Sequence, residues 1–248
     1  MLKAPPDNRP LIGISCDLDN QSRHYELPVA YRQAIETAGG VPLLLAPTDV
    51  AETLDRIFDV IDGLLIPGGN DLDPALYRQP PHPKTIPMDP LRQRFDLALL
   101  KGAQNIALPT LGVCLGCQTI NVMRGGTLIQ YVPEYDRQNA VPHAGDRANL
   151  TDRNAWHNVS IFAKSRLAEV FQKESLQVNS RHRQALDEIG DGLTITARAS
   201  DGIIEAVEDP SLPFFLGVQW HPEGMHDESA DRLFGALIRA AQSFSREQ

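Results

Sequence analysis

The residues with the clearest chemical potential lie in Gly112-Val113-Cys114-Leu115-Gly116, followed at once by Cys117-Gln118-Thr119-Ile120-Asn121-Val122. An apolar run before Cys114 and a helical pattern after it predict a strand, a sharp turn and a helix, the arrangement by which hydrolases of another fold expose a serine nucleophile. Small neighbours are needed there, because the turn strains the backbone of its central residue and leaves no room for flanking side chains. A helix N-terminus behind Cys114 favours the thiolate, the form that attacks carbonyl carbon. Buried cysteines between glycines also arise from packing alone. The other residues the chemistry needs therefore carry the decision.

A thiolate needs a group that manages protons. His221 lies in Gly217-Val218-Gln219-Trp220-His221-Pro222-Glu223, at the end of an apolar run, and Glu223 follows two residues later. In an extended chain both side chains project to one side. A carboxylate there can accept a proton from one imidazole nitrogen and leave the other facing the sulfur, as the orienting member of a triad does. Pro67-Gly68-Gly69 follows another apolar run. Its backbone N–H groups meet no side-chain obstruction, so Gly69 with the N–H of Leu115 is the candidate oxyanion hole. A surface His-Pro-Glu turn and a plain Pro-Gly-Gly turn are the competing readings of these two segments.

These residues need a scaffold that brings distant stretches to one edge. Leu11–Ser15, Val41–Leu45, Gly63–Ile66 and Thr110–Val113 are short apolar runs bounded by Gly, Pro or Asp, as expected of strands buried on both faces. Pro28 opens a helical segment through Val29, Ala30, Ile35 and Ala38, which Gly39 stops. Asp49 with Glu52 predicts a capping box before Leu54, Ile57 and Phe58. Alternating strands and helices imply an α/β fold with a doubly wound, mainly parallel sheet. Ligands of such sheets collect at the carboxyl ends of the strands. The second half is richer in strands, with runs at Val159–Ile161, Leu176–Asn179, Leu193–Ala199, Ile203–Val207 and Phe214–Trp220. Asp201-Gly202 reads as a hairpin turn. The stripe Ala230, Leu233, Phe234, Leu237, Ile238 and Ala241 predicts a terminal amphipathic helix. From Gln79 to Pro90 five of twelve residues are proline, which predicts a stiff extended loop. Pro133–Asn154 is polar and without periodicity, a candidate functional cover or surface decoration.

Composition bounds the function from outside. The 248 residues carry 23 basic and 32 acidic side chains, a formal net charge of -9, which excludes a mainly electrostatic nucleic-acid binder. With 42% hydrophobic and 22% charged residues, the chain is expected to bury a real core as one domain over 1–248. The opening MLKAPPDNRP lacks the apolar run of a secretory signal, and no stretch approaches the ~18 apolar residues of a membrane span, so a cytoplasmic location is expected. The cysteines are Cys16, Cys114 and Cys117, an odd and sparse set that is no disulfide framework. Cys114 and Cys117 have redox-motif spacing but no second pair to complete a zinc site, and Cys117 reads more simply as packing. His24, His82, His143 and His226 have no second ligand at metal-binding spacing, so no metal is expected. Neither a Gly-x-Gly-x-x-Gly nor a phosphate loop occurs, and no cofactor is expected. Homo-oligomer formation is left open.

Taken together and in this order, Pro-Gly-Gly, Gly-Val-Cys-Leu-Gly-Cys-Gln and Gly-Val-Gln-Trp-His-Pro-Glu resemble the class I glutamine amidotransferase superfamily. Val178-Asn179-Ser180-Arg181-His182-Arg183-Gln184 and Ser200-Asp201-Gly202-Ile203-Ile204-Glu205-Ala206 are similar to the γ-glutamyl-γ-aminobutyrate hydrolases within it. The resemblance runs from about Leu11 to the last helix. It implies a triad of Cys114, His221 and Glu223 that hydrolyses a small γ-glutamyl amide through a thioester. It also implies that Gln118 holds the γ-glutamyl moiety while Ser180, His182 and Gln184 line the substrate pocket. His157 matches a further family feature. One position departs: the hydrolases carry arginine after the nucleophile, and Leu115 is more like the true amidotransferases. The leaving amine is therefore open, and the rival is a glutaminase subunit that passes ammonia to a partner synthetase. A binding module that has lost its chemistry is a third reading, and the complete triad argues against it.

Overall fold

The computed structural model describes residues 9–19, 22, 24–144 and 154–247. The polar opening at 1–8 and the stretch 145–153 of the second loop lie outside them. In chain order the elements are β1 (Leu11–Ser15), β2 (Asp17–Asp19), β3 (His24–Glu26), α1 (Val29–Thr37), β4 (Val41–Leu45), α2 (Ala51–Phe58), β5 (Gly63–Ile66) and α3 (Pro90–Asn105). There follow β6 (Thr110–Val113), α4 (Leu115–Met123), β7 (Leu128–Ile129), β8 (Ala155–Ile161), α5 (Arg166–Phe171), β9 (Ser175–Ser180) and β10 (Ala185–Leu186). The chain closes with β11 (Thr194–Ala199), β12 (Ile204–Glu208), β13 (Phe215–Val218) and α6 (Glu228–Glu247).

One sheet runs in the order β4-β1-β5-β6-β13-β12-β11-β8-β9. Its first five strands are parallel and the remaining four join by antiparallel pairing. Both faces are covered, and period-2 alternation decides which residue meets which layer. In β5, Leu65 packs into the cluster of Tyr31, Ile35, Leu233 and Leu237 from α1 and α6, whereas Leu64 and Ile66 pack against Phe95 and Leu99 of α3 and Ile120 of α4. The mainly parallel α/β sheet with an antiparallel second half is the architecture the sequence predicts. Ile66 pairs with Gly112, and Val113 with Val218. The carboxyl ends of β5, β6 and β13 therefore lie side by side. Gly69, Cys114 and His221 emerge there.

The structure departs from the sequence reading in three places. Asp49 and Glu52 form no capping box: α2 starts at Ala51 with Val50 at its N-cap, which offers no side-chain cap, and Asp49 instead reaches Arg94 at 3.4 Å. The sixteen-residue α3 was not anticipated, because Arg92 and Asp96 interrupt its apolar face and are themselves fully buried. Its signal is Asp89-Pro90: Asp89 caps the helix by accepting from the N–H groups of Leu91 and Arg92, and Pro90 begins it rather than ending the proline-rich loop. The described start of the second long loop is not surface decoration. It turns through Val132–Glu134 and sends His143 inward, 4% exposed.

Candidate active site

Cys114 is the single residue between β6 and α4, with φ 53° and ψ -103°. A side chain at positive φ is strained, and the surrounding hydrogen bonds hold it there. Its N–H donates to the Val218 carbonyl at 2.8 Å and its own carbonyl accepts from Gln118 N–H at 3.1 Å. The glycines on either side are demanded by close approach of backbone. A Cβ on Gly116 would stand 2.1 Å from the Ile66 carbonyl oxygen, and one on Gly112 2.6 Å from the carbonyl of Gly116. The thiol is buried, 8% exposed, at the base of a cleft of about 420 Å³.

His221 is fixed by its backbone. Its N–H donates to Asn179 Oδ1 at 3.0 Å, and its carbonyl accepts from Asn179 Nδ2 at 2.9 Å. The imidazole interacts with the Cys114 sulfur, and Nδ1 donates to Glu223 Oε1 at 2.8 Å. Burial alone would lower the His221 pKa, but the Glu223 carboxylate and the Cys114 sulfur outweigh it and push it up to about 9. At neutral pH the ring thus carries the proton that a leaving amine needs. Glu223, by contrast, is held below its ordinary range: burial opposes ionisation, and His221 with Arg181 overcome it. Arg181 Nη2 donates to Glu223 Oε1 at 2.7 Å, so one carboxylate oxygen serves both the imidazole and the guanidinium. Sequence reasoning placed neither Arg181 nor the Asn179 clamp in the site. Both sit in the Val178–Gln184 segment, but only the contact of the end of β9 with the turn after β13 reveals their use.

The Pro67-Gly68-Gly69 turn is held from below by Arg92, whose guanidinium donates to the Gly68 carbonyl at 3.1 Å and the Pro67 carbonyl at 3.4 Å. Asp17 at 2.9 Å and Asp96 at 3.3 Å balance that buried charge. Burial pushes the Asp96 carboxyl up to about 6 against the pull of Arg92. Gly68 N–H is committed to the Tyr31 hydroxyl at 2.9 Å. Gly69 N–H has no protein acceptor among the described residues, and Leu115 N–H, first in α4, has no intrahelical one. These are the two donors the sequence nominated. The Leu115 side chain lies beneath the turn, 1% exposed and outside the cleft lining.

Of the residues assigned to substrate, Gln118, His182 and Gln184 line the cleft, and Ser180 does not. Ser180 is fully buried behind the wall, its hydroxyl donating to the His143 carbonyl at 2.7 Å. Gln118 Nε2 donates to the Gln184 carbonyl and to Gln219 Oε1, both at 3.1 Å, which ties α4 to the opposite wall. Asp71 and Arg183, 3.5 Å apart, and Glu26 add charges of both signs to the lining. Cys117 is packed against β13, and burial pushes its thiol well above the ordinary value, so it supplies no second thiolate. The expectation that no histidine meets a second ligand is corrected. Ligand atoms of His143, His157 and Glu205, separated in sequence by 14 and 48 positions, lie within 4.8 Å of one another.

Comparison with known proteins gives the family and the fold. Residues 10–223 match the family described as Peptidase C26. The chain is 40% identical, over 97% of its length and 78% of the relative's, to a Mycobacterium tuberculosis protein named "Putative glutamine amidotransferase Rv2859c". It is 30% identical, over 97% of each chain, to the γ-glutamyl-γ-aminobutyrate hydrolase PuuD of Escherichia coli K12. The glutaminase domain of Trypanosoma brucei CTPS, solved with bound acivicin, superposes with a TM-score of 0.65 at 19% identity over 94% of each chain. At that identity the superposition speaks for the fold alone.

Proposed function

The chain belongs to the Peptidase C26 family, a hydrolase family with cysteine catalysis, and from that premise we propose that it cleaves the γ-glutamyl amide bond of a small γ-glutamyl amine, of the γ-aminobutyrate or polyamine type, to glutamate and free amine. The observation that carries the reading is the contiguous relay from Glu223 through His221 to Cys114 on the floor of a cleft whose size takes a small molecule. Cys114 Sγ adds to the γ-carbonyl carbon, and the oxygen takes up the negative charge between the N–H groups of Gly69 and Leu115. The C–N bond then breaks as His221 gives its proton to the departing nitrogen, leaving a thioester. His221, now neutral, takes a proton from water as the hydroxyl oxygen adds to the thioester carbon, and glutamate leaves as the C–S bond breaks. The paired charges of Asp71 and Arg183 suit the α-amino and α-carboxylate groups of a γ-glutamyl moiety. A reducing compartment would keep the three buried, unpaired cysteines in that form, which supports a cytoplasmic site of action.

The relative at 40% identity favours a second reading, a glutaminase that delivers ammonia to a partner. Steady-state kinetics of the isolated chain separate the two. Under our proposal kcat/KM for γ-glutamyl-γ-aminobutyrate or γ-glutamyl-putrescine exceeds that for free glutamine by more than about tenfold, ~1.4 kcal/mol of transition-state binding. A preference for glutamine would move the assignment to the second reading.

The charge relay also has a pH signature. His221 acts as an acid below its folded pKa, so kcat/KM is expected to fall as pH rises through about 9. In Glu223→Gln the largest influence raising that pKa is gone, so the alkaline limb is expected at lower pH. Superimposable alkaline limbs for the two proteins would separate Glu223 from the relay.

A further inference from the structure

Behind the substrate wall, three imidazoles converge on one carboxylate. His157 Nε2 lies 3.1 Å, His143 Nδ1 3.2 Å and His182 Nε2 3.5 Å from Glu205 Oε1, and His143 Nδ1 is 3.2 Å from His182 Nε2. All four residues are buried, from 0% exposed at Glu205 to 6% at His157. They come from separate elements: the loop before β8, then β8, the turn after β9, and β12.

The outer nitrogen of each ring is already committed as a donor. His157 Nδ1 meets the Pro142 carbonyl at 3.2 Å and His182 Nδ1 the Gln184 carbonyl at 2.8 Å. His143 Nε2 meets Asp201 Oδ2 at 3.0 Å, an oxygen that also accepts from Arg137 Nε and Val141 N–H. Carbonyl and carboxylate oxygens cannot donate, so these contacts set the tautomers. With the rings neutral, the inner nitrogens present lone pairs to one another and to Glu205, and no other protein donor among the described residues lies between them. Glu205 Oε2 is likewise buried without a partner. Acceptors facing acceptors at this separation need a bound cation or an added ring proton to hold them together.

We propose that His143, His157 and Glu205 bind one divalent transition-metal ion of the zinc type. Each ring is oriented by a carbonyl or carboxylate on its far nitrogen, the outer-shell pattern of metal-ligating histidines. The separations of 3.1 Å and 3.2 Å from Glu205 Oε1 to His157 Nε2 and His143 Nδ1 match the ~3.3 Å between ligand atoms of a tetrahedron with ~2.0 Å bonds. Two imidazole nitrogens and one carboxylate oxygen suit zinc, and none of the three residues lines the cleft, so the centre is structural rather than catalytic. The ion would lock the loop bearing His143 onto β8 and β12. Through Glu205, which His182 Nε2 approaches at 3.5 Å, it would also steady the wall that Gln118 and Gln184 share with the cleft.

The test uses the full chain with Cys114→Ala, so that the active-site thiolate cannot serve as a ligand. After dialysis against a chelator it is titrated with Co(II), and separately with Zn(II) during thermal unfolding. One equivalent of Co(II) is expected to give the visible absorption of a tetrahedral site, and Zn(II) to raise Tm by several degrees. His157→Gln and Glu205→Gln, which keep size and polarity, should lose both responses. Absence of both responses in the protein with the intact cluster overturns the proposal and leaves a proton-bridged cluster. Equal responses in the His157→Gln and Glu205→Gln proteins also overturn it, by placing the ion elsewhere. Because both readouts are independent of turnover, this test and that of the hydrolase reading fail separately.

Discussion

Cys114→Ala is expected to lower kcat/KM for the γ-glutamyl substrate by more than about 10⁴-fold while the protein still folds. A triad whose nucleophile is lost keeps only what the oxyanion donors and binding supply, and single removals cost nearly as much as removal of the whole unit. Little is lost structurally, because alanine keeps the Cβ and the same backbone. The unfolding free energy in urea should stay within about 1 kcal/mol of wild type. Cys114→Gly separates the two roles further. Glycine at φ 53° sheds the strain of a side chain, so this variant should be the more stable of the pair, by about 1 kcal/mol, and equally inactive. Substantial turnover by either variant, measured under single-turnover conditions to exclude contaminating enzyme, would remove Cys114 as the nucleophile.

Gly116→Ala is expected to damage stability and catalysis together without touching a reacting group. Its new Cβ would stand 2.1 Å from the Ile66 carbonyl oxygen, a backbone atom of a central strand. No side chain can swing away to relieve it. Helix α4 must lift from β5, at a cost of about 3 kcal/mol for forced overpacking. The lift carries Cys114 and the Leu115 N–H away from His221 and Gly69, and a displacement of about 1 Å at the reacting atoms costs on the order of 10²-fold in rate. Gly235→Ala supplies the contrast. It lies within α6 and meets only the far end of the Arg239 side chain at 3.2 Å, so it should stabilise the helix by about 0.5–1 kcal/mol. Chemical denaturation and kcat/KM of the two proteins together check the argument. A Gly116→Ala protein of wild-type stability would show that α4 and β5 are less closely seated than the structure has them.

The parallel strands, the elbow and the terminal helix were legible because their signals are local. Alternation and 3.6-residue stripes report burial on the faces of single elements, and a nucleophile elbow announces itself in five consecutive residues. Helix α3 was obscured for the same reason. Its buried face carries Arg92 and Asp96, which read as solvent-facing until the turn carbonyls of Pro67 and Gly68 supply partners for the guanidinium. The Asp49–Glu52 pattern failed in the opposite sense: the local signal was present, but Asp49 lies within reach of Arg94 and did not cap.

By itself, then, the order of residues determined the alternating α/β plan, the strained position of Cys114 and the pairing of His221 with Glu223, all written within a few positions of chain. Tertiary structure alone decided that Arg181 shares the Glu223 carboxylate, that Ser180 stands behind the wall rather than in the cleft, and that His143, His157, His182 and Glu205 converge. Such groupings arise where loops and strands from distant parts of the chain meet at one end of the sheet, and no spacing along the chain encodes a distance across it.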